Sequence, residues 1–187
     1  MKYYFTVDKR DIMLEVPGSA YYPADDSELF ADFIVKKRVK FLRKRVLEIG
    51  SGSGLLSILC SRFGADVLAV DINPDAVLAT RENAIINKVE LVTAESDLFS
   101  GVKEKYDIII FNAPYLPDED VLTKKAQSIN YNKGDIIKRF LLEYRKYLRK
   151  NGKVYILVSS ITGEKIGGKI VSKKKIDWEE LRIIELV

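Results

Sequence analysis

Residues 46–60 read Val46-Leu47-Glu48-Ile49-Gly50-Ser51-Gly52-Ser53-Gly54-Leu55-Leu56-Ser57-Ile58-Leu59-Cys60. A short apolar run meets three glycines alternating with serines, and a second apolar run follows. That pattern predicts a buried strand (VLEIG, 46–50), a tight turn (SGSG) and a buried helix (LLSILCSRF, 55–63). Glycines there allow the turn and let the backbone pass close to a ligand. The unit then repeats. DVLAVD (66–71) reads as a strand, and Pro74 suits the first turn of a helix running to about Asn87. Further strands are VELVTA (89–94), YDIIIF (106–111) and KVYILVSS (153–160). An amphipathic helix over GDIIKRFLLEYRKYLRK (134–150), stopped by Asn151-Gly152, precedes the last of these. Strands apolar throughout and separated by helices predict a parallel sheet covered on both faces. The fold class is α/β, a doubly wound, mostly parallel, Rossmann-like sheet.

The flanks add smaller elements. Residues 2–16 alternate as a hairpin with Asp8-Lys9-Arg10-Asp11 as its turn. The loop PGSAYYPADDS (17–27) leads to a helix from Glu28, with Asp26 or Ser27 as its cap. KKRVKFLRKR (36–45) is strongly basic, the pattern of a solvated face or of phosphate contacts. The tail GKIVSKKKIDWEELRIIELV predicts an antiparallel hairpin. With no linker or repeat, residues 1–187 read as one domain, with 1–26 packed on it.

Composition narrows the chemistry. A 47% hydrophobic and 31% charged chain is ordinary for a globular protein. It has no histidine and one cysteine, Cys60, so a histidine base, a Ser-His-Asp triad, a structural zinc site and an internal disulfide are excluded, and no metal site is expected. No apolar run approaches the roughly 20 residues of a membrane span. A cytoplasmic location is the expectation. The net charge of +4 permits nucleic-acid binding without demanding it.

In doubly wound sheets, ligands sit at the carboxyl ends of the strands where the strand order switches. Asp71 ends the second strand at roughly the 20-residue spacing at which a carboxylate meets a ribose diol. Each such charge-assisted bond is worth roughly 1.5–3 kcal/mol. Asp71 could equally cap the helix at Pro74. The glycine spacing is GxGxG rather than GxGxxG, with Glu48 beside it. An acid there repels pyrophosphate and suits a cationic amino-acid ligand. S-adenosyl-L-methionine, with an ammonium, a sulfonium and no phosphate, fits. Asp97 and Leu98 after the third strand suit an adenine amine and an apolar cover, although Asp97 could also be a solvated loop acid.

The fourth strand stops at Asn112-Ala113-Pro114-Tyr115. A planar NH₂ has its lone pair held in resonance and reacts only when both N–H bonds are held out of plane. Asn112 Oδ1 and the Ala113 carbonyl can accept them, Pro114 holds Ala113 extended, and Tyr115 offers a flat face. Catalysis by orientation then needs no strong base.

These motifs, LEIGSGSG, DINPDA, Asp97-Leu98 and NAPY, together with the upstream YPADDSELF, resemble in order and spacing the HemK-like protein-glutamine N-methyltransferases of the short archaeal and eukaryotic branch. The resemblance covers roughly residues 20–186. It implies a class I S-adenosylmethionine-dependent methyltransferase acting on the Gly-Gly-Gln glutamine of class I release factors in translation termination. By position, Ser27, Glu48, Gly50, Gly52, Asp71, Ile72, Asp97, Leu98 and Asn112 would hold the cofactor, and Asn112, Ala113, Pro114 and Tyr115 the glutamine. It also implies a small zinc-binding activator subunit on the edge of strand 89–94. The chain departs from the family's usual NPPY at Ala113, and KKAQSINYNKGD (124–135) has one glycine where the family tends to a glycine-rich loop. Read from the residues alone, an RNA or DNA exocyclic-amine N-methyltransferase, a non-enzymatic binding subunit and a nicotinamide-dependent oxidoreductase remain alternatives.

Overall fold

The computed structural model describes residues 1–7, 10–114, 133–162 and 166–186. Two antiparallel strands come first, β1 (Lys2–Val7) and β2 (Arg10–Glu15), followed by helix α1 (Asp25–Lys36). Then come β3 (Arg45–Ile49), α2 (Leu55–Arg62), β4 (Asp66–Asp71), α3 (Pro74–Ile86), β5 (Val92–Glu95) and β6 (Tyr106–Asn112). The chain closes with α4 (Lys133–Glu143), β7 (Leu148–Ser159), β8 (Lys169–Ile176) and β9 (Glu179–Leu186).

Seven strands form one sheet in the order β5-β4-β3-β6-β7-β9-β8. The pairs from β5 to β7 are parallel, and β9 joins β7 and β8 antiparallel. The chain therefore builds outward from β3 through β4 to β5, then returns to lay β6 on the other side of β3. Their carboxyl ends diverge at that switch, leaving a crevice.

β6 shows why the strands are apolar throughout. Ile108 and Ile110 enter a core with α1, α2 and the N-terminal hairpin, while Ile109 and Phe111 enter the opposite core with Phe99, Ile137 and Phe140. Both faces of the strand are covered, as a central parallel strand requires.

The hairpin is fastened by two asparagines one turn apart, Asn83 on α3 and Asn87 capping its carboxyl end. Asn83 Oδ1 accepts from Glu15 N–H (2.8 Å), and its Nδ2 donates to Glu15 O (3.0 Å). Asn87 does the same to Met13, at 3.1 and 2.7 Å. Because alternate strand residues and residues i, i+4 of a helix repeat at similar distances, two side-chain amides stand in for a neighbouring strand. Asn83 Nδ2 also donates to Ser53 O (2.9 Å), reaching the glycine loop.

Several expected boundaries move. In the hairpin Val7 pairs with Arg10, so Arg10 and Asp11 belong to β2, and residues 8–9 lie outside the described ones. α1 begins at Asp25, after Ala24, with no side-chain cap. Asp26 and Ser27 thus sit inside its first turn, where Asp25, Asp26 and Glu28 face the positive helix end. β5 is shorter and later than 89–94, because Val89 and Leu91 turn into the core instead of extending the edge. The helix expected to reach residue 150 ends at Glu143, and a 3-10 turn, Tyr144–Tyr147, follows. Tyr147 stacks on Phe99 (4.7 Å), and Leu148 already pairs with Tyr106 of β6. Asn151, at φ 64°, and Gly152 turn inside β7 rather than stopping a helix. In the basic stretch, Phe41 is buried, and Arg45 pairs with Glu104 and Asp66 and lies over the Tyr106 ring.

Candidate active site

A cavity of about 390 Å³ opens at the switch point. Every residue assigned to the cofactor from the sequence lines it: Ser27, Glu48, Gly50, Gly52, Asp71, Ile72, Asp97, Leu98 and Asn112. Ala113 and Pro114 line it as well, whereas Tyr115 lies outside the described residues. The volume is within the roughly 300–1,000 Å³ typical of small-molecule sites.

The glycine loop forms one wall. Gly50, Gly52 and Gly54 all have left-handed φ, at 68°, 55° and 86°. Gly54 also packs on α3, where an added Cβ would lie 3.0 Å from Thr80 Cγ2. Backbone conformation therefore disfavours side chains at all three, and contact with Thr80 does so at Gly54 as well. Thr80 Oγ1 donates to Ser51 Oγ (3.0 Å), binding the loop to the helix.

Asp71 ends β4 with each oxygen anchored: Oδ2 accepts from Gly52 N–H and Oδ1 from Asn73 N–H, both at 2.9 Å. Desolvation raises its pKa, and those backbone donors oppose the rise. The α3 cap is Asn73, which accepts from Asp75 N–H, so Asp71 does not cap the helix. Asn73 Nδ2 additionally holds Ser19 O (2.8 Å), drawing the loop before α1 toward the cavity.

Glu48 is 2% exposed and accepts from Ser57 Oγ on α2. Burial pushes its carboxyl up to about 8, the Ser57 hydrogen bonds oppose that, and the nearby Asp71 adds to it. Across the cavity, Leu98 adopts φ 49°, an uncommon backbone for a branched residue. Ser96 Oγ maintains it by donating to Leu98 O (2.8 Å) while accepting from Gly101 N–H (2.8 Å). Asp97 Oδ2 is 2.8 Å from Arg139 Nη2 of α4, an ion pair between two partly exposed groups. α4 also contributes Ile136 to the lining.

The end of β6 carries the most informative contact. Asn112 Nδ2 donates to Asp26 Oδ2 (3.1 Å), while Asn112 Oδ1 is buried without a hydrogen-bond partner among the described residues. Ala113 N–H continues the ladder to Leu157 O (3.2 Å). Sequence reasoning treated Asp26 only as a helix cap and did not assign Tyr21 or Asn73. Tyr21 immediately precedes the YPADDSELF element and Asp26 lies within it, so that motif was the available signal for both.

The strand order, the switch-point cavity, the glycine loop and the ordered acids after β4 and β5 define a class I, Rossmann-like methyltransferase. Residues 25–166 match the methyltransferase small domain model, and the chain belongs to that family, as an S-adenosylmethionine-dependent methyltransferase. It is 41% identical to a Methanocaldococcus jannaschii protein provisionally named a protein N5-glutamine methyltransferase, over 95% of this chain and 96% of that one. It is 29% identical to the release factor glutamine methyltransferase of Streptococcus pneumoniae, over 81% of this chain but only 58% of that protein. Among solved structures, a T. thermophilus 16S rRNA N2 G1207 methyltransferase in complex with AdoMet and guanosine superposes with a TM-score of 0.70. At 18% identity over 99% of this chain and 50% of that one, this likeness concerns the fold. No helix among the described residues is long and apolar enough to cross a membrane.

Proposed function

We propose that this chain, as one catalytic domain, methylates the side-chain amide of the glutamine in the Gly-Gly-Gln motif of a class I release factor. The observation that carries the reading is Asn112 Oδ1, a buried acceptor at the end of β6 without a partner among the described residues. An unsatisfied buried acceptor costs roughly 1–3 kcal/mol, so the site favours a ligand that brings an N–H. A primary amide brings two, one for Asn112 Oδ1 and one for the Ala113 carbonyl, with Pro114 fixing the approach. The names of the M. jannaschii and S. pneumoniae relatives favour glutamine over a nucleobase amine.

The lining fits S-adenosylmethionine. In this reading Asp71 takes the ribose diol with Ile72 beside it, Asp97 and Leu98 take the adenine, and Glu48, Gly50, Gly52 and Ser27 take the amino-acid end; all of them line the cavity. When bound, that cofactor supplies a methyl on a cationic sulfur, which keeps the C–S electron pair as the methyl joins the amide nitrogen and one N–H proton leaves to solvent. Holding both N–H bonds tips the nitrogen lone pair toward the methyl, so catalysis is mostly orientation.

Incubation with labelled S-adenosylmethionine and a class I release factor, its Gly-Gly-Ala variant, or RNA tests this. Label is expected only in the unmodified factor. Transfer to RNA alone would establish the nucleobase reading instead. A release factor places the enzyme in the cytoplasm. A small zinc-binding subunit would add to β5, an edge strand with Val92 60% exposed.

A further inference from the structure

A side-chain amide is nearly symmetric in shape and asymmetric in hydrogen bonding, since one end only accepts and the other donates twice. Which end of Asn112 meets the acceptor therefore depends on what grips the other. That partner is Asp26, from the first turn of α1, 86 positions away in sequence and 3% exposed. Among the described residues, every hydrogen bond to its carboxylate comes from a donor. Ser27 N–H lies 2.6 Å from Oδ1 and Ser27 Oγ 3.2 Å. The Tyr21 hydroxyl lies 3.2 Å from Oδ1 and 3.3 Å from Oδ2. Asn112 Nδ2 completes the set at 3.1 Å from Oδ2. With the amide turned over, Asn112 Oδ1 would stand against Oδ2, two acceptors in contact with no proton between them.

We infer that Asp26, held by Tyr21 and Ser27, is the positioning residue that fixes the hydrogen-bonding sense of Asn112 and makes the site select a carboxamide over a carboxylate of the same shape. The inference rests on the proposed amide acceptor and adds what enforces the choice between glutamine and glutamate. A charged acceptor behind Nδ2 also polarises the amide, strengthening Oδ1 as the acceptor facing the substrate. A site built around one hydrogen-bonding sense rejects the isostere of opposite sense, because buried groups are then left unpaired.

The test uses the full chain with two peptides, one carrying Gly-Gly-Gln and one Gly-Gly-Glu, as competitors of each other and of the release factor. The wild type should favour the glutamine peptide. In Asp26→Asn the second amide can donate as well as accept, so Asn112 is free to turn over. The glutamine-to-glutamate preference should narrow roughly tenfold or more, and kcat should fall roughly 10–100-fold, while KM for S-adenosylmethionine stays within about threefold. The exchange Asp26→Asn/Asn112→Asp keeps one carboxylate and one amide in the pair and returns an obligate acceptor to the substrate side. It should recover at least about fivefold of the activity lost in Asp26→Asn.

An unchanged peptide preference in Asp26→Asn, or losses that simply add in the exchange, would reduce Asp26 to a structural residue and overturn the inference. If the wild type labels no release factor yet still prefers the glutamine peptide by the Asp26-dependent margin, the substrate reading fails and the role of Asp26 stands. A wild type indifferent between the two peptides overturns the inference outright.

Discussion

Replacing Glu48 with glutamine isolates one buried titratable group on the cavity wall. With its carboxyl raised to about 8 by burial, Glu48 is mostly protonated at pH 7. In the unfolded chain it would titrate near 4.5. The sign follows from the proton count. Below that value both states hold the proton and the contribution to stability is complete. As pH rises toward 8 the unfolded chain has released its proton while the folded chain keeps it, so stability is lost at about 1.4 kcal/mol per unit. Over the whole window this amounts to roughly 4–5 kcal/mol, and the loss flattens above pH 8. Glu48→Gln cannot ionise. Its melting temperature relative to wild type, scanned at pH 5 and again at pH 8.5, should therefore improve by about 10 °C between the two conditions. Any fixed cost of the amide in that position cancels in the comparison. Cofactor binding gives the complementary readout. A cationic ligand favours the ionised carboxyl, so the wild type should release a proton, up to about one per cofactor, at pH 7. Calorimetry in two buffers of different ionisation heat measures this directly. Glu48→Gln should bind more weakly and release none through this group. A melting difference that stays constant from pH 5 to 8.5, with buffer-independent binding heats, would refute the argument.

Other perturbations probe the remaining parts of the site. Asp71→Ala removes the proposed ribose contacts and the anchor of Gly52, and should weaken S-adenosylmethionine roughly 10–100-fold by titration, with a much smaller effect on the acceptor KM. Asn112→Ala should lower kcat at least about 100-fold on a release factor while the cofactor dissociation constant stays within a few-fold, as single-turnover kinetics would show. Asn83→Ala leaves Glu15 and Ser53 backbone groups unpaired beneath the hairpin. It should cost roughly 2–4 kcal/mol in urea denaturation, seen as about 6–12 °C in melting temperature.

The sheet was legible because its strands are apolar on both faces and its turns carry glycine or proline, signals that depend only on near neighbours. Lys153–Ser159 was recognisable from its own residues. The first residues of β7 were not, because Tyr144, Tyr147 and Leu148 keep a helical spacing that packing against Phe99 and Tyr106 overrides. The cavity residues that end strands, Glu48, Asp71 and Asn112, were found because a strand end is a definite place in such a fold. Asp26 was assigned as a cap because its donor partner is 86 residues away, and no local pattern announces that contact. Asn73 was missed for a similar reason: Asp71 offered the more obvious carboxylate, while the capping group is the amide two residues later.

The amide zipper from α3 to β2 bears on how the protein can be handled and trimmed. Asn83 is 0% exposed and touches Glu15 on one side and Ser53 on the other, so the opening hairpin buttresses the loop that shapes the cavity. Cutting away the first sixteen residues to obtain a minimal catalytic fragment would thus loosen a wall of the binding pocket, although none of the removed side chains lines it.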